Sequence, residues 1–476
     1  MHHTRLESKE GKNIKRKLTN TRNLNAQGVS IARELALKVL YEVNHEARYA
    51  NISLKENLRR NLLTNQDVAF VTRLVYGTLE KQFTIDEILE KLANMKRIKP
   101  WLRNILRMGA YQILFLDRVP DSAACNEAVK LCKLHGLYPF SGFVNGVLRN
   151  LSRKKKELLS LTVDMPIQER LAFQYSYPLW LADKWINDYG IEKAEAIMKP
   201  IQDDEGITIR VNTIKISPEI LKDKLVKDGF RVRDGYYMRE ALKITGGGDI
   251  EKLTLYRHGF FTVQGESSML VVSVLDPQPN ESILDACSAP GGKATYMAEK
   301  MLRKGRICAL DIHPHRVELI KMNSKRMDSE IIESYVFDAS KYNQEWHQCF
   351  DRVLVDAPCS GLGTLYKKPD IKARLTLKCY KELTILQMKI LQNCSYYVKP
   401  GGVLVYSTCT INVEENQNII NEFLKKNPDY ELQDPAPYIP YSLRNSIQNN
   451  MIQLIPSRHL TDGFFIARMR RNKDVV

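Results

Sequence analysis

Residues 282–293 read Ser282-Ile283-Leu284-Asp285-Ala286-Cys287-Ser288-Ala289-Pro290-Gly291-Gly292-Lys293. The stretch begins as a buried strand that ends at Asp285, and we expect a helix after its glycines. Glycines at such a junction let a ligand approach the backbone closely at the N-terminus of a helix. A P-loop is excluded because Cys287 and Ala294 stand where that motif needs glycine and serine or threonine, and the spacing is not Gly-x-Gly-x-x-Gly. The stretch therefore supports neither an NTPase nor a typical dehydrogenase.

Strands and helices alternate after this loop, which predicts a doubly wound parallel sheet in an α/β Rossmann-like domain at 276–472. Three further predicted strands each end in an acid: Ile307–Leu310 before Asp311, Tyr335–Phe337 before Asp338, and Val353–Val355 before Asp356. A carboxylate in this position can accept both hydroxyls of a ribose. With the glycine loop, these acids indicate an adenosine-containing cofactor that lies across the carboxyl edge of the sheet.

Two cysteines, Cys359 and Cys409, each follow a short apolar run that predicts a buried strand. Free cysteine is among the most buried residue types, so packing is the ordinary role of any one thiol. Two thiols at strand ends beside an aspartate instead favour covalent catalysis, because a thiolate is a strong nucleophile. The residues alone do not say which thiol attacks.

The part of the chain before the sheet divides into three predicted regions. Residues 1–28 are rich in lysine and lack apolar periodicity, so we expect a flexible basic arm. Residues 29–152 repeat apolar side chains every three to four positions, which predicts an all-α bundle. Residues 157–275 mix a helical stretch with short strand-like pieces such as Ile207–Asn212, which predicts a small α+β domain.

Charge and composition point to nucleic acid as the partner. The formal net charge is +16 and the pI is about 9.2, and polyanion binding depends largely on neutralising phosphates. The sequence lacks a run of about 18 apolar residues and a secretory signal, so we expect a cytoplasmic protein outside the membrane. Nine cysteines fit a reducing compartment, and their spacing predicts no structural metal.

Several stretches of the sequence form short motifs: Asp285–Lys293, Asp356–Gly363, Lys368–Ile371, Tyr406–Cys409 with Glu414–Asn416, and Asp462–Phe465. These motifs closely resemble those of RNA 5-methylcytosine methyltransferases. The helical region is similar to the NusB-like domain that is fused to the RsmB (Sun/Fmu) type of that family, through Leu74–Leu79, Gly109–Leu114, Asn126–Val129 and Phe143–Arg149. The resemblance covers roughly residues 30 to 470.

The resemblance implies a class I S-adenosylmethionine-dependent methyltransferase domain and assigns roles by position. The cofactor would be bound by the loop Cys287, Ser288, Ala289, Pro290, Gly291, Gly292 and Lys293, with Asp311 at its ribose and Asp338 near its adenine. Asp356 would lie between the cofactor and the target cytosine. Cys409 would be the nucleophile and Cys359 the second cysteine, which helps to release the product. The implied substrate is a cytosine of 16S ribosomal RNA before ribosome assembly is complete, and we expect a monomer that does not bind DNA.

The reactivity of the cytosine ring supports these roles independently of the resemblance. Attack of a Cys409 thiolate at C6 makes the poorly nucleophilic C5 enamine-like, and a protonated Asp356 near N3 would stabilise the charge on the ring. A base must then remove the C5 proton, and Cys359 is a candidate. DNA cytosine methyltransferases attack with the cysteine of a Pro-Cys motif, which would be Cys359 here, but the additional Tyr-Ser-Thr-Cys segment favours Cys409.

Two other functions remain open from the sequence. One is methylation of transfer RNA cytosine by the same chemistry, and the other is a NusB-like RNA-binding or antitermination factor without catalysis. The sequence also departs from the family at Gly265, where we expect an acid, and at Tyr366 and Lys367, where relatives often carry arginine. These departures concern RNA contacts and leave the proposed reaction unaffected.

Overall fold

The computed structural model describes residues 28–160, 165–201, 206–246, 248 and 250–473. The chain forms two compact units: one runs to Lys199 and includes Leu365–Arg374, and the other comprises Pro200–Thr364 and the chain from Leu375 onward. The predicted basic arm lies outside the described residues, except for Gly28. The domain limits proposed from the sequence differ from these units, because 167–198 is helical and packs within the first one.

The first unit is all-helical. Its helices are α1 Ile31–His45, α2 Ala50–Arg59, α3 Asn65–Glu80, α4 Gln82–Leu92, α5 Pro100–Phe115, α6 Asp121–Leu134, α7 Ser141–Leu159, α8 Ile167–Tyr175, α9 Leu179–Tyr189 and α10 Ile191–Met198. A capping box between Thr64 and Asp67 begins α3. A side chain at Gly77 would overlap the Tyr111 hydroxyl, so this glycine lets α3 and α5 pack closely. That contact joins two of the NusB-like motifs.

The segment Leu365–Arg374 belongs to the first unit although its neighbours in sequence belong to the second. Lys372 Nζ donates to the Ser176 carbonyl oxygen at 3.1 Å and lies 3.7 Å from the centroid of the Tyr177 ring. Burial lowers the pKa of Lys372 to about 7. Arg374 donates to the Arg48 carbonyl and pairs with a carboxylate of its own segment. The segment is therefore anchored by buried polar contacts.

The second unit begins with a small antiparallel sheet of order β2-β3-β1-β4. Its strands are β1 Ile207–Val211, β2 Phe230–Asp234, β3 Ala241–Gly246 and β4 Phe261–Val263, with helices α11 Pro218–Lys227 and α12 Thr254–Arg257. Alternate residues of β1 and β3 pack with α11 in a small apolar core, as the period of a half-buried strand requires.

A larger sheet of nine strands carries the candidate site. Its strands are β5 Ser282–Asp285, β6 Arg306–Asp311, β7 Ile332–Val336, β8 Phe350–Asp356, β9 Val398–Thr408, β10 Tyr430–Leu432, β11 Ile447–Gln448, β12 Met451–Leu454 and β13 Phe464–Arg471. The helices are α13 Glu266–Leu275, α14 Gly292–Lys300, α15 Pro314–Arg326, α16 Ile371–Arg374 of the first unit, α17 Leu377–Ser395, α18 Gln417–Lys426 and α19 Pro456–His459.

Strands β5 to β9 are parallel and follow the order β9-β8-β5-β6-β7, while β13 pairs antiparallel with β9. The order reverses between β5 and β8, which is the switch point where open α/β sheets bind ligands beyond their carboxyl ends. Strands β6 and β8 end at Asp311 and Asp356 as expected. Strand β7 ends at Val336, because Asp338 instead caps a turn by accepting from the Ser340 amide at 3.0 Å.

No helix in the described ranges is long and apolar enough to cross a membrane. Among the same residues, no group of three or more His, Cys, Asp and Glu side chains is arranged to hold a metal ion.

Candidate active site

The glycine loop lies at the switch point and is tied to both neighbouring strands. The Ala286 amide donates to the Leu354 carbonyl at 2.9 Å, and the Ser288 amide donates to the Leu310 carbonyl at 2.7 Å. Gly291 has φ +95°, in the left-handed region, and a side chain there would also press on Ile320. The backbone therefore turns from β5 into α14 within a few residues and leaves its edge open to a ligand.

Asp285, at the end of β5, is a buried carboxylate whose oxygens form no well-aligned hydrogen bond in the described part of the chain, although Ser288, Lys293 and the Cys287 backbone lie close enough to lower its pKa in part. Burial raises the pKa of Asp285 to about 7. An unpaired buried carboxylate is costly unless a bound cationic group compensates it. The residue thus suits the ammonium group of S-adenosylmethionine. The sequence reasoning quoted Asp285 in a motif but did not select it as a site residue, although a strand-end acid before a glycine loop was the available signal.

The two other acids that the sequence predicts at the cofactor have defined partners. The Asp311 carboxylate accepts from the His313 amide at 3.0 Å and pairs with Arg316 at 3.2 Å. Hydrogen bonding to Ser340 holds the pKa of Asp338 below its ordinary value. Both carboxylates follow adjacent parallel strands, β6 and β7. The structure therefore brings the predicted cofactor residues to one edge of the sheet.

Asp356 lies at the end of β8 between two donors. Lys293 Nζ is 2.6 Å from Asp356 Oδ2, and Ser407 Oγ donates to Asp356 Oδ1 at 2.8 Å. Burial lowers the pKa of Lys293, but the charge and hydrogen bond of Asp356, followed by the charges of Asp285 and Cys409, outweigh burial and leave it raised. Lys293 is therefore an ammonium group paired with Asp356, and its charge interacts with Cys409.

The two cysteines are in contact. Cys359 Sγ and Cys409 Sγ lie 3.4 Å apart, and both residues are partly exposed. The hydrogen bond with Cys409, together with burial, raises the pKa of the Cys359 thiol well above its usual range. Strands β8 and β9 pair Asp356 with Ser407, so adjacent parallel strands deliver both thiols to one edge. One partly exposed thiol pair thus stands beside a carboxylate and an ammonium group.

Arg210 on β1 joins the small sheet to the cofactor helix. Its buried guanidinium donates to the Gly292 carbonyl at 2.8 Å and to Glu299 Oε1 at 2.8 Å, and it lies 4.6 Å from the Tyr296 ring centroid. Sequence reasoning missed this residue because an arginine within a predicted strand resembles a surface charge. Only the packing of β1 against α14 shows that it supports the end of the loop and the start of α14.

Three family models match the chain. They are "16S rRNA methyltransferase RsmB/F" over residues 272–470, the "NusB family" over 30–153, and a "Methyltr_RsmF/B-like, ferredoxin-like domain" over 177–251. The fold and the site therefore define an S-adenosylmethionine-dependent methyltransferase with an added NusB-type helical domain.

Curated relatives align over nearly the whole chain. A probable ribosomal RNA small subunit methyltransferase B of Bacillus subtilis is 38% identical over 442 residues, which is 92% of this chain and 98% of the relative. A protein of the same description from Synechocystis is 34% identical over 92% of this chain and 99% of its own length. This chain belongs to the ribosomal RNA small subunit methyltransferase B family.

Two solved structures are similar to this chain in fold. The structure of PH0851 has a TM-score of 0.78 and 28% identity, and it covers 92% of this chain and 99% of that one. NSun6 from Pyrococcus horikoshii has a TM-score of 0.57 and 25% identity over 63% of this chain and all of its own. That protein was solved with SFG, an analogue of S-adenosylmethionine.

Proposed function

We propose that this protein methylates C5 of a cytosine in 16S ribosomal RNA through a covalent adduct between Cys409 and C6. The observation that carries the proposal is the 3.4 Å approach of Cys359 and Cys409 beside the Asp356–Lys293 pair. The names of the relatives support ribosomal RNA of the small subunit as the substrate. The net charge of +16 suits a large RNA.

The chain's own residues prepare the cofactor edge. S-adenosylmethionine, when bound, supplies a methyl group on a sulfonium centre. Asp285 offers an unpaired buried carboxylate to its ammonium group, and Asp311 and Asp338 offer oxygens to the ribose and adenine. The loop 287–293 lets the ligand approach the backbone.

Attack on the base uses Cys409 and Lys293. The Cys409 thiolate adds to C6 and forms the carbon–sulfur bond while electron density moves toward N3 and C5. Asp356 lies 2.6 Å from Lys293, so a proton can pass from the ammonium group through Asp356 to N3. By this route Asp356 is protonated by Lys293 and can donate the proton to N3. Protonation at N3 stabilises the ring, and C5 becomes the carbon that accepts the methyl group.

Release reverses the addition, and the N3 proton returns through Asp356 to Lys293. A base removes the C5 proton, the C5–C6 double bond re-forms, and the C6–sulfur bond breaks to return the Cys409 thiolate. Cys359 lies in contact with that sulfur, and bonding of Cys409 to C6 removes the hydrogen bond that is the first cause of the raised pKa of Cys359, so Cys359 is the candidate base that takes the C5 proton directly or through a water molecule. The target cytosine must leave its stack to reach both thiols, which favours a loop or single-stranded nucleotide.

Cysteine substitutions and nucleotide mapping test the proposal. We expect Cys409→Ala to abolish methyl transfer to unmodified 16S ribosomal RNA, and Cys359→Ala to accumulate a protein–RNA adduct that survives denaturant. Bisulfite mapping of RNA from cells with and without the protein should then show one lost 5-methylcytosine in 16S ribosomal RNA. Full turnover by Cys409→Ala would overturn the nucleophile assignment, and a lost mark only in transfer RNA would overturn the substrate.

A further inference from the structure

The loops that carry the two cysteines are held by two consecutive residues, Glu415 and Asn416. Both lie after β9, in the segment between that strand and α18, and both are fully buried. Their side-chain hydrogen bonds described below go to neighbours of the cysteines, and the charge of Glu415 is also one of the causes that raise the pKa of the Cys359 thiol.

Asn416 holds the residues on either side of Cys409. Its Oδ1 accepts from Thr408 Oγ1 at 2.6 Å, and its Nδ2 donates to the Thr410 carbonyl at 3.1 Å. The same Nδ2 donates to Gln453 Oε1 at 3.1 Å, which fixes the amide to β12. The Asn416 side chain therefore fixes both residues that flank Cys409, Thr408 and Thr410.

Glu415 holds the Cys359 loop in the same manner. Its Oε2 accepts from the Ser360 amide at 2.8 Å and from Gln387 Nε2 at 2.9 Å. The same Gln387 Nε2 donates to the Pro358 carbonyl at 2.9 Å. Residues 358 and 360, on either side of Cys359, are thus fixed by the carboxylate and by Gln387 of α17.

The carboxylate of Glu415 is well satisfied. Its Oε1 accepts from Ser360 Oγ and from Asn412 Nδ2 at 2.9 Å, and Ser360 Oγ in turn contacts Thr410 Oγ1 at 2.8 Å. A buried anion with this many donors is rigid, because each lost donor or acceptor leaves an unsatisfied buried group. The carboxylate therefore holds the Cys359 loop directly through Ser360, and it reaches the residues after Cys409 through Asn412 and through the Ser360–Thr410 contact.

We propose that Glu415 and Asn416 are positioning residues with separate tasks: Asn416 aims Cys409 for attack on C6, and Glu415 aims Cys359 for removal of the C5 proton. The inference rests on the proposed roles of the two cysteines. It predicts that substitutions at adjacent positions block different steps of one reaction. A purely structural role would instead slow adduct formation and release together.

The experiment measures protein–RNA adducts on denaturing gels with two RNAs. One is unmodified 16S ribosomal RNA, in which an adduct accumulates only if release is slow, and the other is the same RNA containing 5-fluorocytidine, in which the adduct is trapped. Fluorine replaces the C5 proton, so the fluorinated RNA reports adduct formation without release. We expect Asn416→Ala to form the trapped adduct at least tenfold more slowly and to accumulate none with ordinary RNA. We expect Glu415→Ala to trap at a rate within about threefold of the unchanged protein and to accumulate adduct with ordinary RNA.

Three further variants keep the test decisive. Glu415→Gln retains one oxygen for the Ser360 amide and Gln387, so it should restore release toward the unchanged rate. Gln387→Leu removes the donor shared by Pro358 and Glu415 and should show a weaker form of the Glu415→Ala defect. It therefore tests the same contact if Glu415→Ala fails to fold. Glu414→Gln changes the same charge at the exposed neighbouring position and should leave both adducts unchanged.

The outcomes separate this inference from the proposed function. If Cys409→Ala still traps the fluorinated RNA, the proposed function fails. If the cysteine variants behave as expected while Glu415→Ala and Asn416→Ala show the same defect, the inference of separate tasks is overturned. Retained affinity for S-adenosylmethionine, measured by calorimetry, shows that a variant with a step-specific defect is folded.

Discussion

The cofactor region around Asp285 and the cysteine region around Glu415 each contain a buried carboxylate, but the two are in opposite situations. Glu415 accepts from the Ser360 amide and hydroxyl and from two side-chain amides. The Asp285 oxygens form no well-aligned hydrogen bond in the described residues, and the weak contributions of Ser288 and the Cys287 backbone leave burial dominant. Because burial without a partner raises the pKa of a carboxyl group, the first carboxylate stabilises the fold and the second is ready for a ligand. Both carboxylates are buried, so it is the number of hydrogen-bond partners that distinguishes the positioning residue Glu415 from the binding residue Asp285.

The largest expected effect is the loss of stability when Glu415 is removed. Glu415→Ala leaves buried donors of Ser360, Gln387 and Asn412 without an acceptor, so we expect the free energy of unfolding to fall by about 3 kcal/mol. Equilibrium unfolding in urea measures the change. A loss below about 1 kcal/mol would show that this carboxylate does not stabilise its region, and the comparison with Asp285 would no longer hold.

Removing the charge of Asp285 should have the opposite effect on stability. Asp285→Asn abolishes an unpaired buried charge, so at pH 8 we expect the cofactor-free protein to gain about 2 kcal/mol in free energy of unfolding. The same change should weaken S-adenosylmethionine binding at least tenfold, as measured by calorimetry. Unchanged affinity would contradict the role of Asp285 toward the ammonium group.

The pH dependence sharpens the assignment of Asp285. The pKa of its carboxyl group is raised to about 7 in the folded protein from an ordinary value of 3.8. The folded state therefore binds more protons between pH 4 and 7, and the stability contribution that is present below pH 4 is lost as the pH rises through 7. Urea unfolding of the cofactor-free protein should show a gap between Asp285→Asn and the unchanged protein that widens from pH 4 to pH 8. A constant gap would mean that this carboxyl group does not titrate in that range.

The smallest expected effect concerns a buried cation in the helical unit. The pKa of Lys372 is lowered to about 7 from 10.5 by burial. The folded state binds fewer protons between pH 7 and 10.5, so this group favours folding increasingly as the pH rises through that window, and it costs stability below pH 7. Lys372→Met should flatten that dependence and raise the unfolding free energy at pH 6 by about 1 kcal/mol. Lys55→Met, at an exposed position of α2, is the matched control and should change neither.

The motifs in the sequence predicted the main parts of the site. Strand-end acids predicted the edge on which Asp311 and Asp356 lie, and the two strand-end cysteines predicted a thiol pair. This worked because parallel strands that end in functional residues must deliver them to the same edge of a sheet. The fold of each region was predictable for a similar reason, since apolar spacing differs between helices and strands.

Other features could not be predicted from spacing. Arg210 looked like a surface charge on a strand, and its buried contact with Gly292 depends on how β1 packs against α14. The pairing of Lys293 with Asp356 joins residues 63 positions apart. The segment Leu365–Arg374 belongs to a different compact unit from its neighbours in sequence, and local periodicity gives no sign of it.

The sequence by itself determined the class of fold, the identity of the strand-end groups and the family, because these depend on local patterns and short motifs. Only the tertiary structure decided which buried carboxylates have partners, that the two sulfur atoms are 3.4 Å apart, and that Glu415 and Asn416 each hold a different cysteine loop. The reason is physical. Hydrogen bonds and desolvation depend on distances between residues far apart in the chain, and those distances exist only after the strands have paired.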